Sequence, residues 1–201
     1  MRQAALPWFV AALLLWASQA QGVTMTFDDI PAGQGLRYYW ETWGVVFSND
    51  FALLDHSSST WGLPYSGTNV AAPGASPGMG YSFLGLKNDD GPLYASSVGG
   101  YFSTAPGAVV RMTAYHIGLV NGDAVASALI GSQGGSWNNK YVRLDYAAGI
   151  REMEFEAVTA DALVHFCVDD LTINFVPEPS SLLALSAFLA PLAGLAIRRR
   201  R

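Results

Sequence analysis

Two acidic pairs flank the folded part of this 201-residue chain: Asp28-Asp29 in "TFDD" and Asp169-Asp170 in "VDDL". Adjacent carboxylates repel one another unless a hard cation sits between them. Ca²⁺ takes about 6–8 oxygen ligands, which carboxylates and backbone carbonyls supply. If the first and last strands lie side by side, Asp28, Asp29, Asp169 and Asp170 converge and can hold calcium. Otherwise each pair ends a strand and caps a turn. A second acidic group is the alternating row Glu152, Glu154 and Glu156. Alternate residues of a strand are about 6.8 Å apart, a spacing that suits the carboxylate pair of glycoside hydrolysis. A catalytic acid, however, needs burial or an apolar wall to raise its pKa. Three carboxylates in a row on one strand face read more simply as a solvated surface, so no catalytic residue is assigned. Aromatic residues form a third group. Trp61, Tyr65 and Trp137 fall in loop-like stretches, where exposed rings can stack on the apolar faces of sugars. Trp40 and Trp43, in "RYYWETWG", read better as core. His56, His116 and His165 are isolated, and His165 with Cys167 makes only two ligands, too few for zinc. Cys167 is the single cysteine, so no internal disulfide forms, and its apolar alternating surroundings read as a buried thiol. There is no H-E-x-x-H, no G-x-S-x-G and no phosphate loop.

The elements that must position these residues have a period of two. Residues 23–27, 44–48, 107–118, 124–130, 141–146, 150–158, 162–168 and 171–175 each read as strands. "IREMEFEAV" is the clearest: Met153, Phe155 and Ala157 share one face and the three glutamates the other, as in a half-buried antiparallel strand. "NDDG", "NGD", "GSQGGSWNNK" and "AAGI" supply turns rich in Gly, Asn and Asp. Residues 55–80 are polar, broken by three prolines, and read as a long loop or set of loops. The expected fold class is all-β: one antiparallel, jelly-roll-like β-sandwich over residues 21–176.

Both ends differ from this middle. Residues 1–20 have a basic start, a short apolar core and small residues at Ser18 and Ala20, the pattern of a secretory signal peptide. The mature chain then begins near Gln21. Residues 180–197 carry no charge, and as a helix of about 27 Å they would nearly span a bilayer core. Arg198, Arg199, Arg200 and Arg201 would stay cytoplasmic. Pro177-Glu178-Pro179 can continue neither strand nor helix, so the folded part ends ahead of it. Between signal and membrane helix lie all sixteen acidic residues against six basic ones. Such an acidic domain is a poor partner for nucleic acid.

Pro-Glu-Pro, apolar helix and terminal arginines, in that order over residues 177–201, resemble the PEP-CTERM protein-sorting tail. The resemblance implies an exported protein of a Gram-negative bacterium that makes extracellular polysaccharide. It implies a membrane-anchored precursor whose tail is recognised by an exosortase, and a destination at the cell surface or in the matrix. The "TFDD" and "DDL" stretches also look like those of small PEP-CTERM β-sandwich proteins, whose ectodomain function is mostly unknown. Many carbohydrate-binding sandwiches are similar, with a structural calcium near the termini. The expected function is accordingly a non-enzymatic protein associated with the surface or with exopolysaccharide. The alternatives are a calcium-dependent carbohydrate-binding module and a polysaccharide-acting enzyme. Clustering of Trp61, Tyr65 and Trp137 on one exposed surface would favour the carbohydrate-binding reading.

Overall fold

The computed structural model describes residues 22–31, 33, 35–36, 44–48, 51–55, 64–73, 81–88, 91–119, 122–132, 134–135, 137–160 and 162–176. Apart from Val176, these belong to one compact unit, Gly22–Phe175. The expected signal peptide, Pro177-Glu178-Pro179, the apolar segment 180–197 and Arg198–Arg201 lie outside the described residues. So do Trp40, Trp43, Trp61 and His56. Among the described residues no helix is long and apolar enough to cross a membrane.

The described chain is all-β. Its strands are β1 (Gly22–Met25), β2 (Val45–Phe47), β3 (Phe51–Asp55), β4 (Asn69–Pro73), β5 (Tyr81–Asn88), β6 (Gly91–Pro92), β7 (Ala95–Thr104), β8 (Val109–Tyr115), β9 (Ala124–Gly131), β10 (Trp137–Ile150), β11 (Glu152–Ala157) and β12 (Phe166–Phe175). One sheet runs β10-β7-β12-β4-β3, with β1 added beside β12; the other runs β2-β5-β11-β8-β9, with β6 beside β5. All pairings are antiparallel. The first and last strands lie side by side as expected, with Gly22 opposite Asn174 and Met25 opposite Leu171.

The inner faces of both sheets meet in a core knit by phenylalanines. Phe155 of β11 packs against Phe51 of β3, Phe102 of β7 and Phe166 of β12, with ring centroids 6.0, 6.2 and 5.3 Å away. Phe47 and Phe27 continue the chain of rings from Phe51. The alternation in β11 holds: Met153 and Phe155 are buried. Arg151 falls just before the strand, where its guanidinium donates to the Ile117 carbonyl at 2.8 Å.

Several expectations need correction. β10 is fourteen residues long, so "AAGI" is no turn but an irregular stretch of strand between Asp145 and Ile150. Residues 162–165 form a 3-10 turn, and β12 then runs unbroken through both strands expected there. Residues 69–73, expected in a loop, form β4, which is buried along its whole length.

Candidate functional site

The outward face of the first sheet is organised by β12. Its free edge is shared: the first half pairs with β4, through Val168 opposite Ala71, and the second half with β1. The exit of β1 and the entry to β4 therefore meet beside residues 169–170. A register shift lies between Asp169 and Thr172, and Asp170 adopts a positive φ of 44°, an arrangement that Asp tolerates better than most residues.

Three carboxylates converge on the loop that enters β4. Asp169 Oδ2 accepts the Ser66 N–H at 2.8 Å, and its Oδ1 accepts the Asp170 N–H at 2.8 Å. Asp170 Oδ1 accepts the Ser66 hydroxyl at 2.7 Å. Asp28 Oδ1 accepts the N–H groups of Thr68 and Asn69 at 2.7 and 3.2 Å. The Asn69 amide donates in turn to the Ile30 carbonyl at 3.0 Å. Gly67 has φ +52°, and a Cβ there would fall within 2.0 Å of the Asp28 carboxylate carbon. Glycine is thus required twice over, by backbone and by space.

Asp28 and the Asp169–Asp170 pair hold the same loop, through backbone N–H groups and the Ser66 hydroxyl. Asp29 is exposed and stands apart from this clamp. Asp28 Oδ1, Asp170 Oδ1 and both Asp169 oxygens face N–H or O–H donors, and among the described residues no three His, Cys, Asp or Glu side chains are gathered as a metal cage. The donor set around Asp28, Asp169 and Asp170 does not fit Ca²⁺ in this arrangement.

What the clamp holds in place is Tyr65. Its ring stacks on Tyr101 of β7, with centroids 3.4 Å apart and planes 6° from parallel. Tyr101 is flanked across the strand by Tyr141 of β10 on one side and Asp169 of β12 on the other. The Tyr141 ring meets Tyr101 at 5.2 Å and 60°. Tyr65 and Tyr141 are 50% and 49% exposed, in contrast to 2% for Asp169 beneath the loop. The Tyr65 hydroxyl beside it holds the Tyr101 phenol above its ordinary pKa. The next position outward on β7 is Gly99, opposite Arg143 and Thr172. A Cβ on residue 99 would lie 2.9 Å from the Tyr141 hydroxyl, so Tyr141 leans along the sheet over a position without a side chain. Beyond it, Asn174 donates to the Ser97 hydroxyl at 2.7 Å. Thr24 and Thr172 share a hydroxyl hydrogen bond at 3.1 Å. Arg143 pairs with Asp145 at 2.6 Å. The whole is a strip of three tyrosines continued by small polar groups.

The other expected site residues are placed differently. Trp137 is not a loop residue: it opens β10 opposite Thr104 and packs half-buried against the main core, so it does not join Tyr65. Each glutamate of β11 is engaged. Glu156 pairs with Arg111 at 2.7 Å, Glu154 accepts from the Tyr115 hydroxyl at 2.7 Å, and Glu152 accepts the Leu119 N–H at 2.7 Å. Burial and the Glu154 carboxylate push the Tyr115 phenol up to about 12. Cys167 is buried, and that burial pushes its thiol up to about 12, which suits a packing role. His116 belongs to a separate aromatic group with Tyr94 and Tyr146; its Nδ1 donates to the Gly149 carbonyl at 2.5 Å. Sequence reasoning missed Tyr101 and Tyr141. The one available signal was Tyr141 on the polar face of the alternating "YVRLDY".

Burial raises the Asp169 carboxyl to about 6, and the neighbouring Asp170 charge adds to this, while the Ser66 and Asp170 N–H groups pull it down. A raised folded-state pKa makes the protonated form the one the fold favours. That contribution is fully present below the unfolded carboxylate range near pH 4 and is lost as pH rises through about 6. The melting midpoint should therefore fall more between about pH 5 and about pH 7.5 in the wild type than in Asp169→Asn. Equal slopes in the two melting series would remove Asp169 as the source.

No protein-family model matches this sequence, and no curated protein matches it. Among solved structures, the K2 cleaved adhesin domain of Lys-gingipain is 15% identical, covering 77% of this chain and 99% of that one, with a TM-score of 0.49. The CBM22-1 xylan-binding domain of Xyn10C from Paenibacillus barcinonensis is 15% identical over 80% of this chain and 98% of its own, with a TM-score of 0.41. A family 29 carbohydrate-binding module from Piromyces equi is 11% identical over 77% and 89%, with a TM-score of 0.43. The architecture described above rests on this chain's own strand pairing.

Proposed function

We propose that the domain is a non-catalytic carbohydrate-binding module, with the Tyr65–Tyr101–Tyr141 strip as its binding face. The observation that carries the reading is the exposure of Tyr65 and Tyr141 on a sheet face whose loop is clamped by three carboxylates. Aromatic rings gathered on one exposed face are what a binding surface presents, and rings fixed in advance lose little entropy when a ligand covers them. Sugar rings present C–H faces to aromatic rings and hydroxyls to polar neighbours. Thr172 and Asn174, both part-exposed, supply a low polar surface beside the tyrosines. On the other sheet, the engagement of Glu152, Glu154 and Glu156 supports a non-enzymatic reading.

Affinity electrophoresis of the wild type and Tyr65→Ala through gels containing soluble polysaccharide tests this. The wild type is expected to be retarded, and Tyr65→Ala to bind about tenfold more weakly, the loss of one stacking ring. Equal migration with and without polysaccharide across neutral and anionic chains would end the proposal.

The domain's address is part of the same reading. The tail over residues 177–201 supports export, anchoring and release by an exosortase, which would bring the module to an exopolysaccharide matrix. Intact-mass analysis of protein from its native envelope is expected to give a chain from Gln21 to about Pro179; a mass that includes Arg198–Arg201 would contradict tail removal.

A further inference from the structure

The strip is not flat. Tyr65 and Tyr101 are parallel within 6°, and Tyr141 is tilted by 60° from Tyr101. The two half-exposed rings, Tyr65 and Tyr141, therefore present faces in clearly different directions. A packed polysaccharide surface offers coplanar sugar rings, and two aromatic rings can both lie flat on it only when their own planes coincide. Here one ring would stand on edge. A single chain free in solution rotates about its glycosidic bonds, so separate sugars can turn to meet each ring. The tilt is not a free rotation. Tyr65 is fixed by its stack on Tyr101 and by the clamp on Ser66 and Thr68. Tyr141 is fixed against Tyr101 and over Gly99.

Charge adds a second constraint. Asp28, Asp169 and Asp170 hold the loop that carries Tyr65, through Ser66 and Thr68. Arg143, the cation that β10 brings to this face, is already paired with Asp145. The domain as a whole is strongly acidic. Lys140, next to Tyr141 on β10, is exposed, but it sits opposite Phe102 on the alternate face of the strand, so an anionic sugar brought to the strip would meet chiefly the carboxylates.

We propose, resting on the carbohydrate-binding reading above, that this face takes a single neutral glycan chain in solution rather than the flat surface of a packed polysaccharide. The purified full chain is tested by affinity electrophoresis through soluble galactomannan, soluble glucomannan and anionic polygalacturonate, and by depletion onto crystalline cellulose and crystalline chitin. Retardation by a neutral soluble chain is expected, with depletion onto the crystalline solids at least about tenfold weaker. Tyr141→Ala, checked by its melting curve for folding, is expected to weaken retardation about tenfold. Depletion by a crystalline solid that equals or exceeds binding to the soluble chains would overturn the single-chain inference and leave the carbohydrate-binding reading standing. Stronger retardation by polygalacturonate would overturn neutrality alone. Binding to none of the five would overturn both.

Discussion

Phe155→Ala is expected to lower the stability of the domain by about 3–5 kcal/mol, the usual cost of emptying a buried phenylalanine site. For a domain of this size that corresponds to a fall in melting midpoint of about 10 °C or more. The magnitude follows from where the ring sits. Phe155 comes from β11 in one sheet, while Phe51, Phe102 and Phe166, the rings it touches, come from three strands of the other. Its removal thus opens a void at the seam between the layers, where both sheets would have to move to fill it. The tyrosine strip lies on the opposite face of its sheet, so the molecules that remain folded should keep their affinity for glycan. A calorimetric scan of Phe155→Ala within about 3 °C of the wild type would mean that the core is not organised around this ring.

Gly67→Ala is the second large effect, and it should reach both stability and binding. The positive φ costs an alanine about 1 kcal/mol. The new Cβ also displaces the Asp28 carboxylate, which then leaves the N–H groups of Thr68 and Asn69 without their acceptor. A lost partner for a part-buried donor costs about 1–3 kcal/mol. Together these predict a loss of about 3 kcal/mol, a melting midpoint lower by about 6–12 °C, and glycan retention reduced as far as in Tyr65→Ala. Gly33 provides the comparison: its φ is also positive, at +85°, yet a Cβ there meets nothing within 4 Å. Gly33→Ala should show only the backbone part. If the two variants melt alike, the Asp28 contact contributes nothing and the clamp loses its structural basis.

The parts of this fold that could be read from the chain are those where one side of a strand meets water. β11 alternates because one face of its sheet is solvated. β7 does not. It lies between β10 and β12, is buried almost throughout, and contains Gly99-Gly100, where side chains would strike Tyr141, Arg143 and Val168. A strand covered on both sides has no alternation to detect, and glycines argue against a strand when taken alone. β4 was hidden in the same way, as "NVAAP" within a polar, proline-rich stretch. The acidic pairs were legible because pairing of the first and last strands could be inferred from the sandwich class. Their ligand was not, since N–H groups carry no mark in the sequence. The aromatic site was half legible: Tyr65 stood out, while Tyr101 and Tyr141 become its neighbours only through strand register.

Because Gly22 sits opposite Asn174, the two ends of the domain leave from the same end of the same sheet. A load drawn between them would act across the β1–β12 hydrogen bonds and open them one pair at a time, as a zipper opens, rather than shearing all of them at once. Mechanical resistance along that direction is low by construction. A tether through one end only would leave the ladder slack, and a glycan chain pulling on the tyrosine strip would then draw force through the long central strands β7 and β12.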